Sequence, residues 1–187
     1  MDSGALIAVL VVVLVAVAVA ALLLSRRRRT ERLQQQFGPE YERAVTRTGD
    51  QRAAEAELAE RAQRRRELTI VPLDAAAHEA YEKEWKATQA KFVDDPGGAT
   101  READALVSRL MRDRGYPVDD DFDQQAAVVS VDHPHVVENY RAAHAVHRAN
   151  EQGQAGTDDL REAFVHYRSL FAELLDADGD EREEAHR

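Results

Sequence analysis

Four of the chain's seven histidines fall in one short stretch, VDHPHVVENYRAAHAVH, and converging imidazoles can hold a metal ion or pass protons. On a helix turning about 100° per residue, His144 and His147 lie roughly 60° apart, on the side that also carries Val136, Tyr140 and Ala143. His135 and Glu138 point elsewhere. Such a pair supplies two ligands, and a third would have to come from another helix that spacing does not identify. The expectation is core-edge histidines with hydrogen-bond partners. His144 and His147 remain the weak candidates for a metal or small-ligand site. His166 lies off the apolar seam of its own stretch and is expected to face solvent.

Carboxylates form the other groupings. In the C-terminal DADGDEREEAHR, Asp176, Asp178 and Asp180 match the first, third and fifth positions of a calcium-binding loop. The glycine required for the sharp turn is replaced by Glu181, and the closing bidentate glutamate by Arg187, so 176–187 reads as a disordered acidic tail. Asp119, Asp120, Asp121 and Asp123 suit the first turn of a helix, where the dipole favours acids. The chain has no glycine-rich phosphate loop, no HExxH and no cysteine, which excludes disulfide scaffolds, zinc–thiolate and iron–sulfur sites and cysteine nucleophiles. No catalytic residue and no cofactor is assigned, and an enzyme is not expected.

The elements that carry these residues follow from length and charge. At 187 residues the chain allows one modest domain with appendages. Its net charge of −10 argues against nucleic acid as a partner. That charge is unevenly spread: residues 26–68 are net +4, residues 69–175 net −9 and residues 176–187 net −4.

Residues 5–24, ALIAVLVVVLVAVAVAALLL, are an unbroken run of 20 apolar residues. As a helix this run is about 30 Å long, the thickness of a bilayer's hydrocarbon core. Its six Leu, seven Val and one Ile favour insertion by about 4 to 8 kcal/mol. Residues 1–4 carry only Asp2, whereas Arg26, Arg27, Arg28 and Arg29 follow the run directly. The positive-inside rule then puts residues 1–4 outside and the remainder in the cytoplasm, giving a single-pass plasma-membrane protein. The alternative is a cleaved signal peptide and a secreted or envelope protein, with a small-x-small site at Ala16–Ala18 or Ala18–Ala20. Against it stand an n-region without Lys or Arg, an over-long core and arginines on the wrong side. Gly4/Ala8 and Ala16/Ala20 have spacing that permits helix pairing, but six alanines produce it by chance, so a homo-oligomer is left unsupported. The arginines could bind anionic headgroups, although orientation alone accounts for them.

Beyond the arginines, residues 25–68 read as a basic juxtamembrane segment and helical stalk. Breaks are expected at Gly38-Pro39 and Gly49, with Asp50 opening a last helix. Leu58 and Leu68 are the only large apolar residues of 50–68, which predicts a solvated arm or weak coiled coil with Arg64–Arg66 exposed near its end. The acidic domain, 69–175, follows a linker at Pro72 and carries four strong helical patterns and one weak one. They run from Asp74 to about Val93, Thr100 to Arg114, around Phe122–Val129, from Asp132-His133-Pro134 to about Asn150, and on from a Thr157 cap. Asp94-Asp95-Pro96-Gly97-Gly98 is expected to break the chain before Thr100. Tyr81, Trp85, Thr88 and Phe92 make one stripe, Ala103, Leu106, Val107 and Leu110 another, and Leu160, Phe164, Tyr167, Phe171 and Leu174 a third. No stretch alternates like a strand. The predicted fold class is all-α: a transmembrane helix, a stalk, and a bundle of about five helices.

The segments FGPEYERAV, AKFVDDPGGATREADALV, MRDRGYPVDDDF and VSVDHPHVVENYRAAH together resemble a family of single-span actinobacterial membrane proteins with a C-terminal helical domain. The resemblance covers most of the chain after the apolar run. It implies a bacterial plasma membrane and no particular activity. The functional expectation is a membrane-anchored adaptor or scaffold module whose partners are the lipid bilayer and a protein yet to be identified. The alternative is a metal or small-ligand sensor using His144 and His147.

Overall fold

A computed structural model describes residues 3–118 and 121–176, with the side chains of all of these except 3–9 and 11. Every regular element among the described residues is helical: α1 (Ser3–Phe37), α2 (Pro39–Thr48), α3 (Gln51–Arg66), α4 (Ala75–Lys91), α5 (Pro96–Asp113), α6 (Phe122–Asp132), α7 (Val137–Glu151) and α8 (Thr157–Asp176). The all-α expectation holds. Two compact units divide at Leu58/Ala59, partway along α3.

In the first unit, α1 continues without a break from the apolar run through the arginines to Phe37. Gly38, at a φ of 46°, then lets the chain turn where an L-residue would be strained, and Pro39 starts α2 at a position that needs no N–H donor. Asp50 opens α3 by accepting from the amides of Arg52 and Ala53. One carboxylate oxygen gathers the three helices: Glu55 Oε1 accepts from Thr30 Oγ1 of α1 (2.7 Å), Tyr41 OH of α2 (3.1 Å) and Gln51 Nε2 of α3 (3.0 Å). Burial pushes the Glu55 carboxyl up, but these bonds and the Arg29 charge outweigh it and hold it below the ordinary value.

The described side chains in the apolar part of α1, Leu10 and residues 12–24, are all exposed. Val12, Val13, Leu14 and Val15 point in four directions and are 67%, 52%, 60% and 57% exposed, so apolar surface surrounds the helix. Among the described residues, no helix is long and apolar enough to cross a membrane. Within the run 5–24 only Leu10 and residues 12–24 have described side chains, 14 of the 20. The Gly4/Ala8 spacing therefore lies outside the described side chains.

In the second unit, α8 is the central helix. It packs against α7 and α5, while α4 packs on α5, and α6 on α7. The three apolar stripes close on one core. Trp85 of α4 stacks on Phe171 of α8 (ring centroids 4.7 Å apart) and tilts against Phe164 at 5.1 Å. Val107, Leu110 and Met111 of α5 and Tyr140 of α7 are buried beside Tyr167, Leu170 and Leu174 of α8. Gly115 ends α5 at a φ of 92°, and a Cβ there would collide with the carbonyl of Thr69. That close approach seats the linker, whose Val71 amide donates to the Arg114 carbonyl at 2.9 Å.

Three local expectations are corrected. Helix α5 starts at Pro96, because Asp95 caps it through the Gly98 amide (2.8 Å) and proline suits a first helical position, so DDPGG begins the helix. Helix α7 starts only at Val137, since α6 runs on to Asp132 and Pro134 sits between them. Residues 50–68 are not a solvated arm: Ala54, Leu58, Arg61 and Ala62 are buried along one stripe, the alanines supplying a narrow seam that hydropathy undervalues. Arg65 is likewise paired, with Asp132 and with its guanidinium 5.8 Å from the Tyr116 ring centroid, while Arg64 and Arg66 are exposed. Asp119, Asp120 and the tail 177–187, with the calcium-loop positions Asp178 and Asp180, lie outside the described residues.

Candidate functional site

Asp104, on α5, is the group that spacing did not identify. Its neighbours along the chain, Ala103, Leu106 and Val107, bury the helix, and this turns its carboxylate toward α7 and α8. Tyr167 OH donates to Oδ1 at 2.7 Å. From α7, His144 Nδ1 stands 3.8 Å from Oδ1, and His147 Nε2 stands 3.9 Å from Oδ2 and 3.6 Å from Glu151 Oε1. The side chains of Asp104 and His147 are only 20% and 13% exposed. Phe122 of α6 covers His144 face to face, with centroids 3.7 Å apart and the planes within 4°.

Burial alone would raise the Asp104 carboxyl. The closeness of His144, the Tyr167 hydrogen bond and the neighbouring His147 overcome this and lower it below the usual aspartate value. Tyr167 moves the other way, raised by burial first and then by the adjacent carboxylate, so its phenol stays a donor. The expected histidine pair is thus placed together at the core edge, but without full partners: Nδ1 of each ring is buried with no hydrogen bond. His135 is exposed, whereas His166, expected to face solvent, has a side chain only 22% exposed and stands 3.6 Å from Glu162.

The pair also borders an open cleft of about 660 Å³ lined by Asp121, Phe122, Asp123, Arg148 and Glu151. Chemically, the cluster offers a carboxylate with two imidazoles, fit for hydrogen bonding and proton exchange. Among the described residues, no group of three or more His, Asp or Glu side chains is arranged to hold a metal ion.

A second polar cluster ties the ends of α3, α5, α6 and α8. Tyr116 OH donates to Asp132 Oδ2 at 2.7 Å and lies 3.2 Å from His133 Nε2, while His133 Nδ1 is 3.4 Å from Glu173 Oε1. Burial lowers the His133 pKa, more than Glu173 and Asp132 raise it. Neither Asp104 nor Tyr116 carries a motif. The only trace of this pattern in the sequence is a tyrosine inside an apolar stripe, because a buried phenol needs an acceptor.

The orientation arginines, Arg26–Arg29, occupy four successive positions of α1 and are all exposed. No family model, curated protein or solved structure matches the chain.

Proposed function

We propose that the chain is a single-pass plasma-membrane protein whose residues 5–24 cross the bilayer and whose helical domain acts as an interaction module on the cytoplasmic side. The carrying observation is the contrast between two kinds of apolar surface. In the bundle most large apolar side chains are inside, Val93 and Val165 being exposed, whereas in the apolar part of α1 the described ones, from Leu10 to Leu24, are exposed on every side. Water penalises such a cylinder, and lipid does not. Orientation is argued from Arg26–Arg29 after the run, against a lone Asp2 before it. The adaptor role is argued from the net charge of −9 on residues 69–175, which steers basic partners and repels anionic ones. Likeness to the actinobacterial single-span family belongs to this reading and adds no activity to it.

The test is a dual topology reporter fused after Arg187, combined with alkaline carbonate extraction of the membrane fraction. Cytoplasmic signal in extraction-resistant membranes is expected. External signal reverses the orientation, and a shortened, released product makes the run a signal peptide and the domain a secreted or envelope protein. The cleft beside His144 and His147 favours a second reading, a small-ligand sensor.

A further inference from the structure

We propose that Arg26, Arg27, Arg28 and Arg29 form a collar that binds the headgroups of anionic lipids in the leaflet where α1 leaves the bilayer. The inference rests on the anchor reading and assigns its lipid partner. Three observations carry it. First, α1 is one uninterrupted helix through the apolar run and the arginines, so the arginines sit on the same axis as Leu24. At about 1.5 Å per residue their backbones lie roughly 3 to 8 Å beyond it, within a headgroup layer about 5 to 8 Å deep. Second, four consecutive residues at about 100° steps face all sides of the helix, and all four are exposed. Guanidinium groups therefore surround the helix, each with the planar donor pattern that fits a phosphate.

Third, the protein neutralises little of this charge. Arg27 meets Glu31 at 2.9 Å in an exposed pair, the side chains 79% and 52% accessible, and Arg29 lends its charge to Glu55. Such an exposed pair is weak and readily exchanged for a phosphate. Arg26 and Arg28 have no carboxylate at ion-pair distance among the described residues. The acidic domain supplies no attraction of its own to an anionic leaflet, being net −9 over residues 69–175.

The experiment uses the full chain in vesicles. The chain lacks cysteine, so Gln35→Cys on the exposed side of α1 gives a single donor-dye position just past the collar. The vesicles are phosphatidylcholine with one fifth phosphatidylglycerol, and acceptor dye is placed on one lipid or the other in parallel samples. A basic residue at an anionic surface is worth about a fivefold change in occupancy. Phosphatidylglycerol is thus expected to be enriched at least about twofold over phosphatidylcholine around the protein. Raising salt to about 0.5 M should reduce the enrichment, and R26Q/R28Q should lower it by about half. Equal transfer to both lipids, or enrichment that R26Q/R28Q leaves unchanged, overturns the collar. Loss of the protein from the vesicles on carbonate washing overturns the anchor reading instead, so the two failures are distinct.

Discussion

Replacing Asp104 by Asn removes a charge while keeping its shape, and the structure sets how much that should cost. Tyr167 then donates to a neutral amide oxygen in place of a carboxylate, and both imidazoles lose their anionic neighbour. A hydrogen bond to a charged group contributes about 1.5–3 kcal/mol and a neutral one about 0.5–1.5, so the loss is about 1–2 kcal/mol. Unfolding entropy for the second unit, at about 2.1 cal/mol/K per residue, converts this to a Tm lower by roughly 4 to 8 °C. The assay is thermal unfolding of the full chain in detergent micelles, followed by fluorescence of Trp85, the single tryptophan, stacked in the core. The sign of the pH dependence follows from the direction of the shift. A carboxyl lowered in the folded state stabilises fully above its unfolded value, 3.8, and that stability is lost as pH falls through the lower folded value. The gap between wild type and D104N should therefore be full at pH 7 and narrow below about pH 3.8. A D104N chain as stable as wild type at pH 7, or a gap that widens on acidification, refutes the account of this cluster.

Three further outcomes are expected. Trp85→Ala deletes the ring between Phe164 and Phe171 and should cost about 3–5 kcal/mol, seen as an earlier loss of helical circular dichroism. Gly115→Ala forces an L-residue to positive φ and drives its Cβ into the Thr69 carbonyl, so at least about 1–2 kcal/mol should be lost, with faster hydrogen exchange at the Val71 amide. His133 is buried, and its pKa is lowered from 6.5, so the unfolded chain takes up the proton first and stability declines as pH falls below about 6.5. His133→Gln should flatten that decline between pH 6.5 and 5 in denaturant titrations. An unchanged slope would mean the ring is solvated.

What could be read along the chain was whatever rests on local periodicity. Trp85, Leu110, Phe164 and Tyr167 declared their faces because a helix repeats every 3.6 residues and each stripe needs only its own neighbours. The helix openings at Asp74 and Asp50 and the helix end near Arg114 were legible for the same reason. Asp95 was misread, because DDPGG looks like a breaker unless its aspartate is seen as a cap and its proline as a first helical residue. Ala54, Leu58 and Ala62 were underrated because alanine gains its value from close approach, and close approach is a property of the partner surface.

The amino-acid sequence by itself determined the helical class, the apolar run with its arginine boundary, and the pairing of His144 with His147 on one face, since each depends only on residues within a few turns. Which carboxylate those imidazoles meet was decided by tertiary structure. Asp104 lies 40 residues before His144 and 63 before Tyr167, and nothing local distinguishes it from the other acids of its region. Only the packing of α5 and α7 against α8 converts those separations into distances of 2.7 to 3.9 Å. Against the upward push of burial, Tyr167 and the two histidines then lower the pKa of the chosen carboxylate, because a group's electrostatics belong to its surroundings more than to its type.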